Sequence, residues 1–234
     1  MRMHGNFSII DLTHPISAGM PHWPGDPATK IKKLFDIKDD GYTLHQITIG
    51  EHSGTHIGAP AHFVASGTDI SHWPAEKLFL PALKIDMSKE AGENPDFLLR
   101  PKHILQWEQK HRVIPAGTIL ILQTNWSRFW SDRKAYMGLR QGEMRFPGFS
   151  VQAAELLISK KVCGLGIDTH GVDGGVSKEF AVNRALAENN LIHLENLANL
   201  EKLPDQGAYL FIGALPVVGG SGSPCRVLAL IRND

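Results

Sequence analysis

Alternation is plainest in TLHQITIG, where Leu44, Gln46 and Thr48 face one way and His45, Ile47 and Ile49 the other. That two-residue period predicts a strand. FSIIDLTH, which ends at a proline, predicts an earlier strand, and ALKIDM and the apolar run GTILILQT predict two later ones. RPKHILQWEQKH, with a proline near its start, reads as a helix. The period changes within FPGFSVQAAELLISKKVCGLGIDT. Ser150 is placed to cap a helix with an Ala154, Leu157, Ile158 stripe, Lys160 and Lys161 suit its C-terminal dipole, and VCGLGID follows as a buried strand ending at Asp168. Ser177 is placed to cap a further helix over KEFAVNRALAENN. LIHLENLANLEKLP then predicts a strand and a helical turn, and AYLFIGALPVV and CRVLALI two more strands. About seven strands and three helices, with no repeat and no linker, predict a mixed α/β fold with residues 1–234 as a single domain.

Composition narrows the class. The chain is 42% hydrophobic and 21% charged, as an ordinary globular protein is. Lys plus Arg equals Asp plus Glu at 24 each, without charge runs, so no basic footprint points to nucleic acid or an anionic membrane surface. No apolar run approaches the roughly 20 residues that span a bilayer. The N-terminal MRMHGNFSIIDLTHP has too short an apolar stretch for a signal peptide, so a cytoplasmic location is expected. Cys163 and Cys225 lie in apolar runs outside any CxxC and are expected to be buried free thiols.

The candidate chemistry is in the histidines. Of twelve in the chain, His52, His56, His62 and His72 fall within GEHSGTHIGAPAHFVASGTDISH, and His45 lies just ahead. The His-x3-His spacing resembles a zinc-binding helix, but Ser53-Gly54-Thr55 are poor helix formers, Pro60 follows, and the glutamate of HExxH is missing. In an extended or looped backbone His52, His56 and His62 can converge from one side, held by a loop that glycine and proline shape. His45 and His72 read as solvated histidines. MPHWPGDPA, rich in proline, forces a loop that displays Trp23. The glycine clusters at Gly171–Gly175 and Gly219–Pro224 lack a GxxxxGK and read as turns or bulges.

HSGTHIGAPAHF resembles the H-x-G-T-H-x-D-x-P-x-H signature of the cyclase family of metal-dependent hydrolases, which includes kynurenine formamidase and isatin hydrolase. IDLTHPISAGMPHWPGDP, FPGFSVQAAELL, GIDTHGVDGG and LENLANLEKLP…GGSGSPCRVLAL continue the resemblance in order through nearly the whole chain. It implies a swivelling β/β/α domain with a mixed sheet, a homodimer or larger homo-oligomer, and hydrolysis of a small amide, N-formyl or cyclic imide or lactam substrate. It also implies a divalent metal ion, zinc or manganese, with His52, His56 and Glu195 as ligands, His62 as the proton donor and acceptor, and Trp23 against the substrate. Three protein ligands with an open position make a sufficient catalytic site for one metal. Three positions depart from the pattern. The ligating aspartate is Gly58, a second-metal histidine falls on Asn183, and a serine falls on Gly171, with His170 beside it as a candidate replacement. These losses make a binding paralogue with a decayed metal site one alternative to hydrolysis; a metal-dependent lyase or cyclase, which the sequence does not separate from hydrolysis, is a second.

Overall fold

The computed structural model describes residues 6–233. Its principal strands are β1 (Phe7–Asp11), β2 (Lys30–Phe35), β3 (Leu44–Thr48), β4 (His56–Gly58), β5 (Phe79–Asp86), β6 (Ile119–Gln123), β7 (Gly164–Ile167), β8 (Ile192–Glu195), β9 (Ala208–Ala214) and β10 (Gly222–Arg232). Its longer helices are α1 (Pro101–Lys110), α2 (Val151–Ser159) and α3 (Ala181–Glu188). Eight strands form one mixed sheet in the order β1-β10-β9-β5-β6-β7-β8-β4, and β4 pairs onward with β10, so the sheet closes on itself. β5 through β8 run parallel, which requires crossovers, and α1, α2 and α3 supply them in turn.

The run ILIL in β6 does not alternate because both of its faces are covered. Ile119 and Ile121 pack inside the closed sheet with Ile57, Ile192, Leu194, Leu210 and Val227. Leu120 and Leu122 pack outside it, under the helices, with Ile104, Leu157, Leu165 and Leu186. Each such side chain contributes roughly 1.5–3 kcal/mol by leaving water. This packing also fixes the site by parity. With Ile57 inside, its neighbours His56 and Gly58 face the other way, and with Ile192 and Leu194 inside, so do His193 and Glu195.

Two local readings are refined by the structure. TLHQITIG does form β3, but it pairs with β2 in a hairpin exposed along its whole length, with Ile31, Leu34, Phe35, Leu44 and Ile47 open to solvent. Ser177 does not cap α3, which starts later, at Ala181, after Phe180 in the left-handed region at φ 52°. Asp173 takes the capping role, accepting the Val182 and Asn183 N–H groups at 3.0 Å each. A carboxylate facing two helix-terminal N–H groups binds them more strongly than a serine hydroxyl binds one. Ser150 caps α2 as expected, accepting from Ala153 N–H. Cys225 is buried and Cys163 half-buried, and both are free. No helix among the described residues is long and apolar enough to cross a membrane.

Candidate functional site

The Gly-Thr of the histidine segment is a structural weld. Gly54 sits at φ +65°, a conformation that side chains resist, and its carbonyl accepts from His56 Nδ1 at 2.9 Å and Asn196 Nδ2 at 2.8 Å. Thr55 Oγ1 donates to the Asn196 carbonyl at 2.6 Å and accepts the His14 N–H at 2.9 Å. The turn before β4 is thereby fastened to the segments following β1 and β8.

These bonds decide the histidine tautomers. A carbonyl only accepts, so the neutral His56 ring carries its proton on Nδ1 and bares Nε2. Ser221 Oγ spends its proton on Glu51 Oε2 at 2.6 Å and therefore accepts from His52 Nε2 at 2.9 Å, which bares His52 Nδ1. Both bared nitrogens, His52 Nδ1 and His56 Nε2, are buried without a hydrogen-bond partner. His56 Nε2 lies 3.2 Å from Glu195 Oε2, so a lone pair faces a carboxylate oxygen. Two acceptors meet favourably at that distance only with a cation or proton between them, and this donor set fits a divalent metal.

His193 joins the cluster from β8. Its ligand atom and those of His52 and His56 lie within 4.8 Å of one another, so the three could hold a metal ion. Glu195 lies beside this trio, with Oε1 3.9 Å from His193 Nε2 and anchored by the Val172 N–H at 2.9 Å. His62 stacks on His52 with ring centroids 3.7 Å apart.

Protonation states suit the arrangement. Burial, joined by the charges of the neighbouring histidines, holds His52 far below the ordinary histidine value, and burial brings His193 from 6.5 to about 4. His62 is also lowered, burial outweighing the pull of Glu195, Asp26 and Glu51. Burial alone would raise the Glu195 carboxyl, but the adjacent His193 and His56 outweigh it, and the group stays ionised. Neutral imidazoles around a carboxylate are the form in which such residues bind metal.

The cluster floors a cleft of about 290 Å³ walled by Trp23, Phe63 and Phe180. Trp23 is half-buried, its ring 5.8 Å from Phe180 and 6.1 Å from His170. Of the residues singled out from sequence, Trp23, His52, His62 and Glu195 line the cleft and His56 lies buried behind them. His45 sits on the exposed β3 and His72 faces solvent next to Asp69, both away from the site. His170 lines the wall with a buried, unpartnered Nε2, and burial lowers it to about 3. Asn183 is committed to Asp173, its Nδ2 donating at 3.1 Å. Asp168 accepts Thr124 N–H, Thr124 Oγ1 and Trp126 N–H and pins the loop after β6, while burial raises it to about 6. His193, Glu51 and Ser221 escaped the sequence reading. The signal for His193 was present: at two residues before Glu195 in a strand, it shares that residue's face.

A model of the cyclase family matches residues 10–174. The isatin hydrolase of Roseibium aggregatum is 34% identical over 247 residues, covering 98% of this chain and 94% of that protein. The kynurenine formamidase of Maricaulis maris is 23% identical over 93% of this chain and 95% of that protein. The structure of an isatin hydrolase bound to the product analogue thioisatinate superimposes with a TM-score of 0.93 at 32% identity, over 97% of this chain and 94% of that one. The family match takes in the whole histidine segment, and a third of the positions are shared with a relative along almost the full length. The chain belongs to the cyclase family.

Proposed function

We propose that this protein is a metal-dependent hydrolase that opens the C–N bond of a small amide, N-formyl group, or cyclic imide or lactam. It works as one domain across residues 1–234, in a cytoplasmic homodimer or larger oligomer. The observation that carries the reading is the pair of bare, buried nitrogens, His52 Nδ1 and His56 Nε2, set against the Glu195 carboxylate at the foot of an aromatic cleft. The relatives support it, because isatin hydrolase and kynurenine formamidase are both named for breaking C–N bonds of small aromatic molecules.

A single zinc or manganese ion, when bound, polarises a carbonyl and acidifies water near neutrality. His52 and His56 present lone pairs for it, and Glu195 brings the balancing charge. His62, kept neutral by burial, takes the proton from the attacking water and returns it to the leaving nitrogen. Trp23, with Phe63 and Phe180, sandwiches a planar ring and excludes water around the reacting carbonyl. The exposed apolar side chains of the β2–β3 hairpin support the oligomer.

The test combines metal analysis with turnover in ¹⁸O-labelled water on a panel of N-formyl anilines, cyclic imides and lactams. One equivalent of metal with one label in the product is the expected result. Turnover without label would establish a lyase or cyclase instead. Full metal loading with no turnover on any member of the panel would leave a binding paralogue.

A further inference from the structure

β4 and β8 run antiparallel with Gly58 directly opposite His193. A Cβ added to Gly58 would lie 1.9 Å from His193 Nε2 and 2.0 Å from its Cε1, inside the imidazole itself. No residue with a side chain can occupy position 58 while His193 keeps its place. The tip of His193 thus lies where the side chain of residue 58 would begin, and position 58 is where the family signature has its aspartate. From that place the ring completes the trio, its ligand atom within 4.8 Å of those of His52 and His56. His193 is only 3% exposed, and its ring lies among those of His52, His56 and His62 at the floor of the cleft.

We infer that His193 is a metal ligand delivered from the neighbouring strand in place of the carboxylate that β4 lacks, and that Gly58 is required to make room for it. The inference rests on the metal-centre reading above and deepens it. Exchanging an aspartate for an imidazole removes one negative charge and one hard oxygen from the site. Imidazole donors suit zinc and its neighbours, whereas carboxylates suit manganese and magnesium. The structure therefore assigns this site to zinc-class ions, with manganese bound more weakly.

Metal titration of the full chain with zinc, manganese and cobalt, read by calorimetry and by the visible cobalt spectrum, tests the inference without any substrate. His193→Ala is expected to weaken zinc binding by more than about 100-fold, beyond the 10–100-fold typical of losing an outer partner of a ligand. Gly58→Ala is expected to weaken it comparably with circular dichroism unchanged, since the nearest atoms its methyl group meets all belong to that ring. In His193→Gly, added free imidazole should restore the cobalt spectrum, a recovery that a merely structural role would not produce. The double variant Gly58→Asp, His193→Ala should recover affinity over His193→Ala and shift preference toward manganese. Wild-type zinc affinity in His193→Ala or Gly58→Ala overturns the inference, as does a double variant that binds no tighter than His193→Ala. Should the wild-type chain bind none of the three metals, or His52→Ala keep full affinity, the metal-centre reading itself fails.

Discussion

Ser221 lies outside the cleft lining and outside the proposed ligand set, yet it should govern metal affinity. Its hydroxyl proton is held by Glu51 Oε2 at 2.6 Å, and its oxygen accepts from His52 Nε2 at 2.9 Å. Ser221→Ala removes that acceptor and leaves a largely buried N–H unsatisfied, a loss of about 1–3 kcal/mol in whichever state must keep it. The metal-free chain escapes by moving the proton to Nδ1 or tilting the ring. The metal-bound chain has no such escape, because Nδ1 is engaged. The difference therefore falls on binding: zinc affinity is expected to drop 10–100-fold, or about 1.4–2.7 kcal/mol, at pH 7.5. Competitive titration against a chromophoric chelator measures it, with thermal unfolding of the metal-free protein as control. Glu51 keeps the Ser221 N–H at 3.0 Å in the variant, so the local backbone should hold. Affinity within twofold of wild type, in a folded variant, would refute the argument that the Glu51–Ser221–His52 chain sets the tautomer.

His62→Ala should lower kcat about 10²–10⁴-fold while metal content stays at one equivalent, as expected for a proton shuttle outside the ligand set; loss of metal would make His62 a ligand. Trp23→Ala should raise KM more than it lowers kcat, since stacking in the cleft contributes nearly equally to ground and transition states; a kcat loss at unchanged KM would place the ring in the transition state. His14, stacked on Trp130 at 4.1 Å and lowered by burial from 6.5 to about 4, makes the fold acid-sensitive. The unfolded chain takes up this proton between pH 6.5 and 4 while the folded chain does not, so stability falls as pH drops through that window and is complete above it. His14→Phe, which keeps the stack, should flatten the acid limb of the stability curve by up to about 1.4 kcal/mol per pH unit, and an unchanged slope would exclude His14 as its source.

Much of this architecture was legible because buried strands and amphipathic helices leave their periods in the sequence: GTILILQT, VCGLGID and the stripe of α2 all appear where their patterns place them. The closure of the sheet was not legible. β4 is too short to show a period, and its partners β8 and β10 lie far along the chain. His52, His56 and Glu195 could be picked out by motif, and strand parity puts His193 on the face of Glu195, but its meeting with Gly58 follows only from the register between β4 and β8. The cap of α3 was misplaced for a similar reason. Asp173 reaches its N–H groups through space, so the nearer Ser177 looked sufficient.

β4 has only three residues, yet it hydrogen-bonds to strands on both sides and completes the ring of the sheet. His56 and Gly58 are therefore part of the seam as well as of the cleft. Any ion held jointly by side chains of β4 and β8 acts as a staple across that seam. Opening it means losing the ion, so occupancy adds RT ln(1 + [L]/Kd) to the free energy of opening, about 2.7 kcal/mol when the free ion stands at 100 times its Kd. The empty protein should fray first at this join, where amide exchange at Ile57 and Leu194 would run fastest relative to the loaded form. In this fold the proposed metal centre is also the clasp, and starving the chain of metal is expected to loosen the closed sheet along with any activity the metal supports.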